Sequence, residues 1–183
     1  PPPPPHCPTR RSSDLKVVEA EFENIETVRD NIREINPDAV IIDAASPLTL
    51  EGDADLMGKN VLVVEDGPTL THGGMTYGAG WFAAKQAGAA EIVDAKPYAV
   101  GTIKATYEKY PNAGNILPAM GYGDQQVSDL QETINATPAD VVVEGTPIDL
   151  KRIITVNKPL ANVRYELEEV EPGTIEEMVK AVV

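Results

Sequence analysis

The chain has 183 residues and a mass of 19.6 kDa, which is enough for one domain with a hydrophobic core of ordinary size. Its 29 Asp and Glu residues outnumber 15 Lys and Arg residues, and the formal charge of −14 excludes general nucleic-acid binding, because such a surface repels phosphate. No apolar run approaches the roughly 20 residues of a membrane-spanning helix, and the single cysteine permits no disulfide within the chain.

The first fifteen residues differ in character from the rest of the chain. Pro1–Pro5 is a homopolymer, and Pro8–Leu15 reads PTRRSSDL, which matches the translation of a common DNA-sequencing adaptor. We predict that residues 1–15 are non-native and disordered and that the gene is truncated, with a flexible Pro-rich basic tail as the alternative. Without this segment His72 is the only histidine of the chain.

Helices and strands are predicted to alternate along the remaining sequence. Apolar side chains between Ile25 and Ile35 recur every three or four residues, which predicts a helix capped by Asn24. The other predicted helices begin at or near Gly78, Thr102, Asp124 and Thr174, the last with a capping box to Glu177. Short β-branched runs predict strands over residues 17–20, 39–42, 61–64, 91–93, 141–143 and 162–167. This alternation predicts an α/β protein with a mostly parallel, doubly wound, Rossmann-like sheet and helices on both faces.

Polar turns follow three of the predicted strands, and ligands bind beyond the carboxyl ends of strands in open α/β sheets. These turns contain Glu65-Asp66-Gly67, Asp94 with Lys96, and Thr146 with Asp149. For Asp149 the sequence favours a helix cap over a metal ligand. The convergence of three such turns predicts a site at this edge of the sheet.

The stretch Val61–Gly80 is the strongest candidate for that site, because its glycines let backbone N–H groups approach an anion beside a helix N-terminus. Phosphate or substrate contacts are predicted at Gly67, Thr69, Thr71, Gly73, Gly74, Gly78, Gly80, Lys96 and Arg152. Glu65 and Asp66 are predicted to hold Mg²⁺. Asp66 and His72 are predicted to be catalytic, with His72 donating to a phosphate or moving a proton. A structural turn with incidental polar residues is the alternative.

Two nucleotide-binding fingerprints are poorly matched. A P-loop needs G-x-x-x-x-G-K-[ST] after a strand, whereas Gly52–Asn60 has a longer spacing, lacks the hydroxyl residue and precedes a strand. Gly78, Gly80 and Ala83 match the Rossmann pattern only loosely, because about a dozen residues separate them from the preceding strand. The sequence therefore has no P-loop, and dinucleotide binding is not favoured.

Seven blocks of residues point to one known family. They are VEDGPTLTHGGM (64–75), YGAG (77–80), KPYAVGTI (96–103), LPAMGYG (117–123), GTPIDL (145–150), NKP (157–159) and VRYELEE (163–169). With these blocks in this order, the chain resembles the cyclic 2,3-diphosphoglycerate synthetases and their GTPase-like homologues from about Ile25 to Val183.

The resemblance implies an ATP-dependent ligase that closes 2,3-bisphosphoglycerate into an intramolecular pyrophosphate and releases ADP and phosphate. It implies ATP (or GTP) and Mg²⁺ as cofactors and a small anionic substrate. Family members are longer and carry a P-loop region upstream, so we expect residues 16–183 to be the C-terminal α/β region of a larger enzyme and to be inactive alone. The alternatives are a related GTPase with another substrate and a non-catalytic docking or homo-oligomerisation domain. In each case we expect a cytoplasmic protein with no nucleic-acid or membrane partner.

Overall fold

The computed structural model of the protein describes residues 22–52, 54–67 and 76–182. The chain divides into two compact units. The first unit combines the residues up to Leu48 with those from Tyr165 onward, and the second unit is Thr49–Arg164. No helix within the described ranges has the length and apolar character needed to cross a membrane.

Strands and helices alternate along the described residues, as the sequence predicts. The strands are β1 (Ala44–Ala45), β2 (Leu48–Glu51), β3 (Asn60–Asp66), β4 (Glu91–Ile92), β5 (Leu117–Ala119), β6 (Val141–Gly145), β7 (Leu160–Tyr165) and β8 (Glu168–Glu169). The helices are α1 (Phe22–Ile35), α2 (Ala79–Gln86), α3 (Gly101–Lys109), α4 (Asp124–Ala136) and α5 (Thr174–Val182), with 3₁₀ turns at Lys96–Tyr98 and Leu150–Arg152.

The main sheet is centred on β3. In the described part of the chain its strand order is β2-β7-β6-β3-β4, and β5 also pairs with β3. β3 runs parallel to β4, β5 and β6, and β6 runs parallel to β7. Val64 lies opposite both Leu117 and Glu144, so the carboxyl ends of β3, β5 and β6 lie together at one edge of the sheet.

Helices cover both faces of this sheet. On one face, Leu62 and Val64 of β3 belong to a buried apolar cluster with Ile103 of α3 and Leu130 of α4. On the other face, α2 packs against β3 and β6. The side chains of a strand alternate between its two faces, so the run of buried residues in β3 serves both layers. The predicted fold class, a mostly parallel Rossmann-like α/β sheet, is confirmed.

The first unit contains α1, α5 and the short antiparallel pair of β1 and β8, in which Ala44 lies opposite Glu169. Arg29 of α1 forms ion pairs with Glu26 and Asp43. All the buried apolar side chains of the described residues belong to the second unit, which therefore carries the hydrophobic core.

Three local predictions are wrong. α1 already includes Phe22, so Asn24 lies inside this helix and does not cap it. Residues 39–42 are not a strand, and Val40 is 60% exposed, because the run is short and no neighbouring strand pairs with it in the described structure. The predicted capping box of α5 is also absent: the Thr174 hydroxyl donates to the Glu171 carbonyl. The predicted strand at 17–20 lies outside the described residues.

Three helices are instead capped by carboxylates from other elements. The carboxylate of Glu169 accepts the Gly173 and Ile175 N–H groups at the start of α5. Asp129 of α4 accepts the Thr102 N–H in α3, with an N···O distance of 2.7 Å. The third such carboxylate is in β3 and is described below. A carboxylate at a helix N-terminus satisfies free N–H groups and interacts favourably with the helix dipole.

Candidate functional site

The residue after β3, Gly67, is closely packed at the carboxyl edge of the sheet. Gly67 is buried directly after Asp66. A Cβ atom on Gly67 would lie 2.5 Å from the Met120 Sδ and 2.7 Å from the Ala119 carbonyl oxygen. Only a residue without a side chain fits here, so Gly67 lets the backbone after β3 pass close to the end of β5.

Glu65 is the third carboxylate that caps a helix. It is 2% exposed and accepts the backbone N–H groups of Gly78, Gly80 and Trp81 at the start of α2, with an N···O distance of 2.8 Å to Trp81. Burial raises the pKa of Glu65 to about 7, an effect that these three N–H groups partly oppose. The N–H groups predicted to bind phosphate at Gly78 and Gly80 are thus already bonded within the chain.

Three glycines surround the Glu65 carboxylate. A Cβ on Gly78 or on Gly145 would lie 2.5 Å from the Glu65 Oε2, and one on Gly80 would lie 3.1 Å from the Glu65 Oε1. Glu65, Gly78 and Gly80 thus pack closely together, and Glu65 caps the start of α2. Metal binding by Glu65 and phosphate binding by the two predicted glycines stay predictions.

We expect Gly145→Ala to lower the free energy of unfolding by about 1–3 kcal/mol, because the added methyl group overpacks this cradle. The new Cβ would also lie 2.9 Å from the Gly80 nitrogen, so neither neighbour can yield without disturbing α2. Gly123→Ala is the matched control, because its nearest contact would be an ordinary 3.4 Å to the Gln126 Oε1. Urea denaturation of both variants measures the difference, and equal stability would contradict the overpacking.

A second group of polar side chains lies on the opposite face of the sheet. It consists of the carboxylates of Asp66, Glu144 and Asp149 and the hydroxyl groups of Tyr122 and Thr146, and we call it the acidic edge. The Tyr122 hydroxyl hydrogen-bonds to Thr146, and Tyr122 feels the charges of Asp66 and Glu144. Burial is the main cause of the raised pKa of Tyr122. β3, the segment after β5, and β6 thus each contribute to one cluster at their carboxyl ends.

Glu144 is the buried member of the acidic edge. It is 1% exposed, and its Oε1 accepts the Leu150 N–H at 2.6 Å. The Thr146 hydroxyl lies 3.4 Å from this Oε1 and donates to the Ile148 carbonyl at 2.8 Å. The pKa of Glu144 is raised to about 7, mainly by burial and also by the nearby charge of Asp149, while the Leu150 N–H bond opposes the rise. Asp149 itself accepts the Lys151 N–H and caps a 3₁₀ turn, which confirms the predicted cap.

Of the two predicted basic residues, Arg152 contacts the acidic edge through Asp149, whereas Lys96 lies against Tyr107. The Lys96 ammonium lies 5.8 Å from the centre of the Tyr107 ring. The Arg152 side chain is 83% exposed and forms an ion pair with Asp149 at 3.4 Å. Substrate binding by Lys96 and Arg152 stays a prediction.

The central part of the glycine-rich loop lies outside the described residues. This applies to Thr69, Thr71, His72, Gly73 and Gly74, whose predicted roles stay predictions. Among the residues that are described, no three acidic, imidazole or thiol side chains come together in a group that could hold a metal ion. The predicted Mg²⁺ ligation by Glu65 and Asp66 is therefore not completed by a third ligand within those ranges.

Comparison with known proteins supports a synthetase-type relative. No protein-family profile matches the chain. The chain is 54% identical over 165 residues to a protein of Thermococcus kodakarensis described as arginine synthetase ArcE. The similarity covers 90% of this chain and 37% of that protein, so the chain spans little more than a third of its relative's length. The relative has a synthetase name, as predicted in general terms, but not that of a cyclic 2,3-diphosphoglycerate synthetase.

Sequence reasoning did not select Tyr122 or Glu144 as site residues. A signal for Glu144 was present, because a carboxylate interrupts the otherwise apolar run of β6. Lys, Glu, Arg and Asp are almost never fully buried without a partner, so a strand-embedded Glu is informative. Tyr122 had no comparable signal, since its proximity to β6 depends on the fold.

Proposed function

We propose that this chain is part of an ATP-dependent synthetase that makes arginine. The observation that carries the proposal is the 54% identity, along 90% of the chain, to a protein described as an arginine synthetase. A match of this length includes nearly all of the described fold. It therefore includes most of the sheet edge on which ligands bind in α/β proteins.

The charge of the acidic edge supports arginine over a bisphosphorylated substrate. Asp66, Glu144 and Asp149 contribute three carboxylates to the acidic edge, and Arg152, which pairs with Asp149, is largely exposed. Carboxylates attract the guanidinium group of arginine and repel phosphate groups. Cyclisation of 2,3-bisphosphoglycerate, which the sequence resemblance implies, would require cationic side chains from elsewhere.

The cofactors of the proposed reaction are ATP and Mg²⁺, with GTP as the alternative nucleotide. Asp66 is the described residue best suited to hold Mg²⁺ beside a phosphate, because it is the partly exposed last residue of β3, at the carboxyl edge of the sheet. Mg²⁺ supplies charge neutralisation for the phosphoryl groups. The sequence has no P-loop, and most of the relative lies outside the match, so we place ATP binding in the corresponding additional part of a longer protein.

Exchange of the matched segment tests the proposal. The 165 matched residues of the Thermococcus kodakarensis protein are replaced by those of this chain, and the purified protein is assayed with ATP and Mg²⁺. We expect arginine formation to persist and cyclic 2,3-diphosphoglycerate formation to be absent. The reverse result would support the cyclising enzyme. A folded exchange protein that performs neither reaction but changes its oligomeric state would support a docking role.

A further inference from the structure

One oxygen of the Glu144 carboxylate has no hydrogen-bond partner in the described residues. While the Oε1 accepts the Leu150 N–H, the Oε2 is buried and unpaired. Buried polar atoms in folded proteins are nearly always paired, because an unpaired one has lost its water without compensation. Among the described residues, the buried Oε2 of Glu144 therefore lacks the donor that such an atom normally has.

The surroundings of Glu144 favour a cationic donor. Asp149 and Lys151 face it from its own loop, and Tyr122, itself close to Asp66, faces it from the segment after β5. On β7, Arg164 also feels the charge of Glu144, but the Arg164 Nε bonds to Glu51 at 3.0 Å. The described neighbours of Glu144 thus include the carboxylate of Asp149 and, next to Tyr122, that of Asp66.

We infer that the Glu144 Oε2 accepts a hydrogen bond from the guanidinium group of arginine bound at the acidic edge. This inference rests on the proposed function, because that function supplies arginine as the ligand. Because the Oε2 is buried in the unliganded chain, arginine binding requires side chains of the acidic edge to move. A guanidinium presents several coplanar N–H donors and can satisfy a carboxylate oxygen that is already fixed in position.

A divalent cation fits this oxygen less well. Mg²⁺ requires near-octahedral coordination by oxygens and usually retains several waters. No group of three suitable metal ligands exists among the described residues. In contrast to Mg²⁺, an N–H donor needs only the one acceptor oxygen.

Protonation of Glu144 gives the inference a measurable signature. Burial raises the pKa of this carboxyl to about 7, so unliganded molecules near neutral pH are partly protonated there. A bound guanidinium favours the ionised form, so arginine binding should release protons near pH 7. The affinity for arginine should correspondingly rise as the pH increases from below 7.

The test is calorimetric titration of the 183-residue chain with L-arginine at pH 7, in two buffers of different ionisation enthalpy. We expect saturable binding with proton release, and about tenfold weaker binding without that release for Glu144→Gln. L-Norvaline, which lacks the guanidinium, is the control ligand. Glu91→Gln, an exposed substitution near the amino end of β3, is the control variant.

Two results would overturn the inference. If Glu144→Gln binds arginine as tightly as the unsubstituted chain does, another group accepts the guanidinium, while the proposed function stands. If the folded chain binds no arginine, the acidic edge does not hold the ligand, and the segment exchange then decides the proposed function separately. Should Glu144→Gln fail to fold, carboxyl ¹³C NMR of the unsubstituted chain replaces it: the Glu144 resonance must shift toward the ionised form on arginine addition.

Discussion

Replacing Glu65 with alanine is expected to lower the free energy of unfolding by about 3–5 kcal/mol. The substitution removes the acceptor for the Gly78, Gly80 and Trp81 N–H groups and leaves a cavity between β3 and α2. Each unpaired buried donor is costly, because water cannot replace the lost carboxylate without entering the core. Urea denaturation measures the loss, and Glu91→Ala on the exposed end of β4 is the matched control.

The pH dependence of stability distinguishes the effect of ionising Glu65 from the effect of removing its side chain. The pKa of Glu65 is about 7 in the folded chain and 4.5 for an ordinary Glu, so the folded state holds a proton that the unfolded state has lost between these values. The contribution of Glu65 to stability must therefore fall, by about 3 kcal/mol, as the pH rises from below 4.5 to above 7. Glu65→Gln cannot ionise, so the stability difference between it and the unsubstituted chain should change by that amount. A difference that is constant with pH would contradict the raised pKa.

Replacing Asp66 with asparagine is expected to lower arginine formation by about 100-fold in the segment-exchange enzyme. Asparagine keeps the size of the side chain and removes the negative charge that the proposed Mg²⁺ site requires. His72→Ala, which removes the predicted proton donor, should lower the rate in the same assay. The measurement is the steady-state rate at saturating ATP and a series of Mg²⁺ concentrations.

The Mg²⁺ series makes this test specific for a metal ligand. If Asp66 holds Mg²⁺, the Asp66→Asn enzyme should need a higher Mg²⁺ concentration to reach its reduced maximal rate. Glu91 is in β4, opposite Asn60 at the amino end of β3, whereas Asp66 is at the other end of β3. Glu91→Gln is therefore the control for the loss of one charge. An Asp66→Asn enzyme with an unchanged rate and unchanged Mg²⁺ dependence would remove Asp66 from the proposed site.

The order of elements in the second unit could be predicted because its signals are local. The apolar run of β3, the Ala-rich sequence of α2 and the spacing of Leu130 and Ile134 on α4 each depend on a few neighbouring residues. Periodicity along a short stretch decides which face of an element is buried. For the same reason the short strand β5, which contains Pro118, was not predicted from its own residues.

Helix starts were harder to predict because their caps come from distant parts of the chain. Thr174 and Glu177 have the spacing of a capping box, yet Glu169 accepts the N–H groups at the start of α5. In the same way, α2 begins on a carboxylate of β3, and α3 on Asp129 of α4. A sequence pattern can identify a cap within three residues, but not an acceptor that folding delivers from another element.

The sequence by itself determined the class of fold, the edge of the sheet where a site would lie, and the carboxylate pair at the end of β3, because these follow from local patterns and from the rule that parallel strands end together. Only the tertiary structure decided what each of the two carboxylates contacts. Successive residues of a strand point to opposite faces, so Glu65 is buried under α2, whereas Asp66 belongs with Tyr122 and Glu144. Which neighbours meet each face depends on long-range packing, which no short stretch of sequence contains.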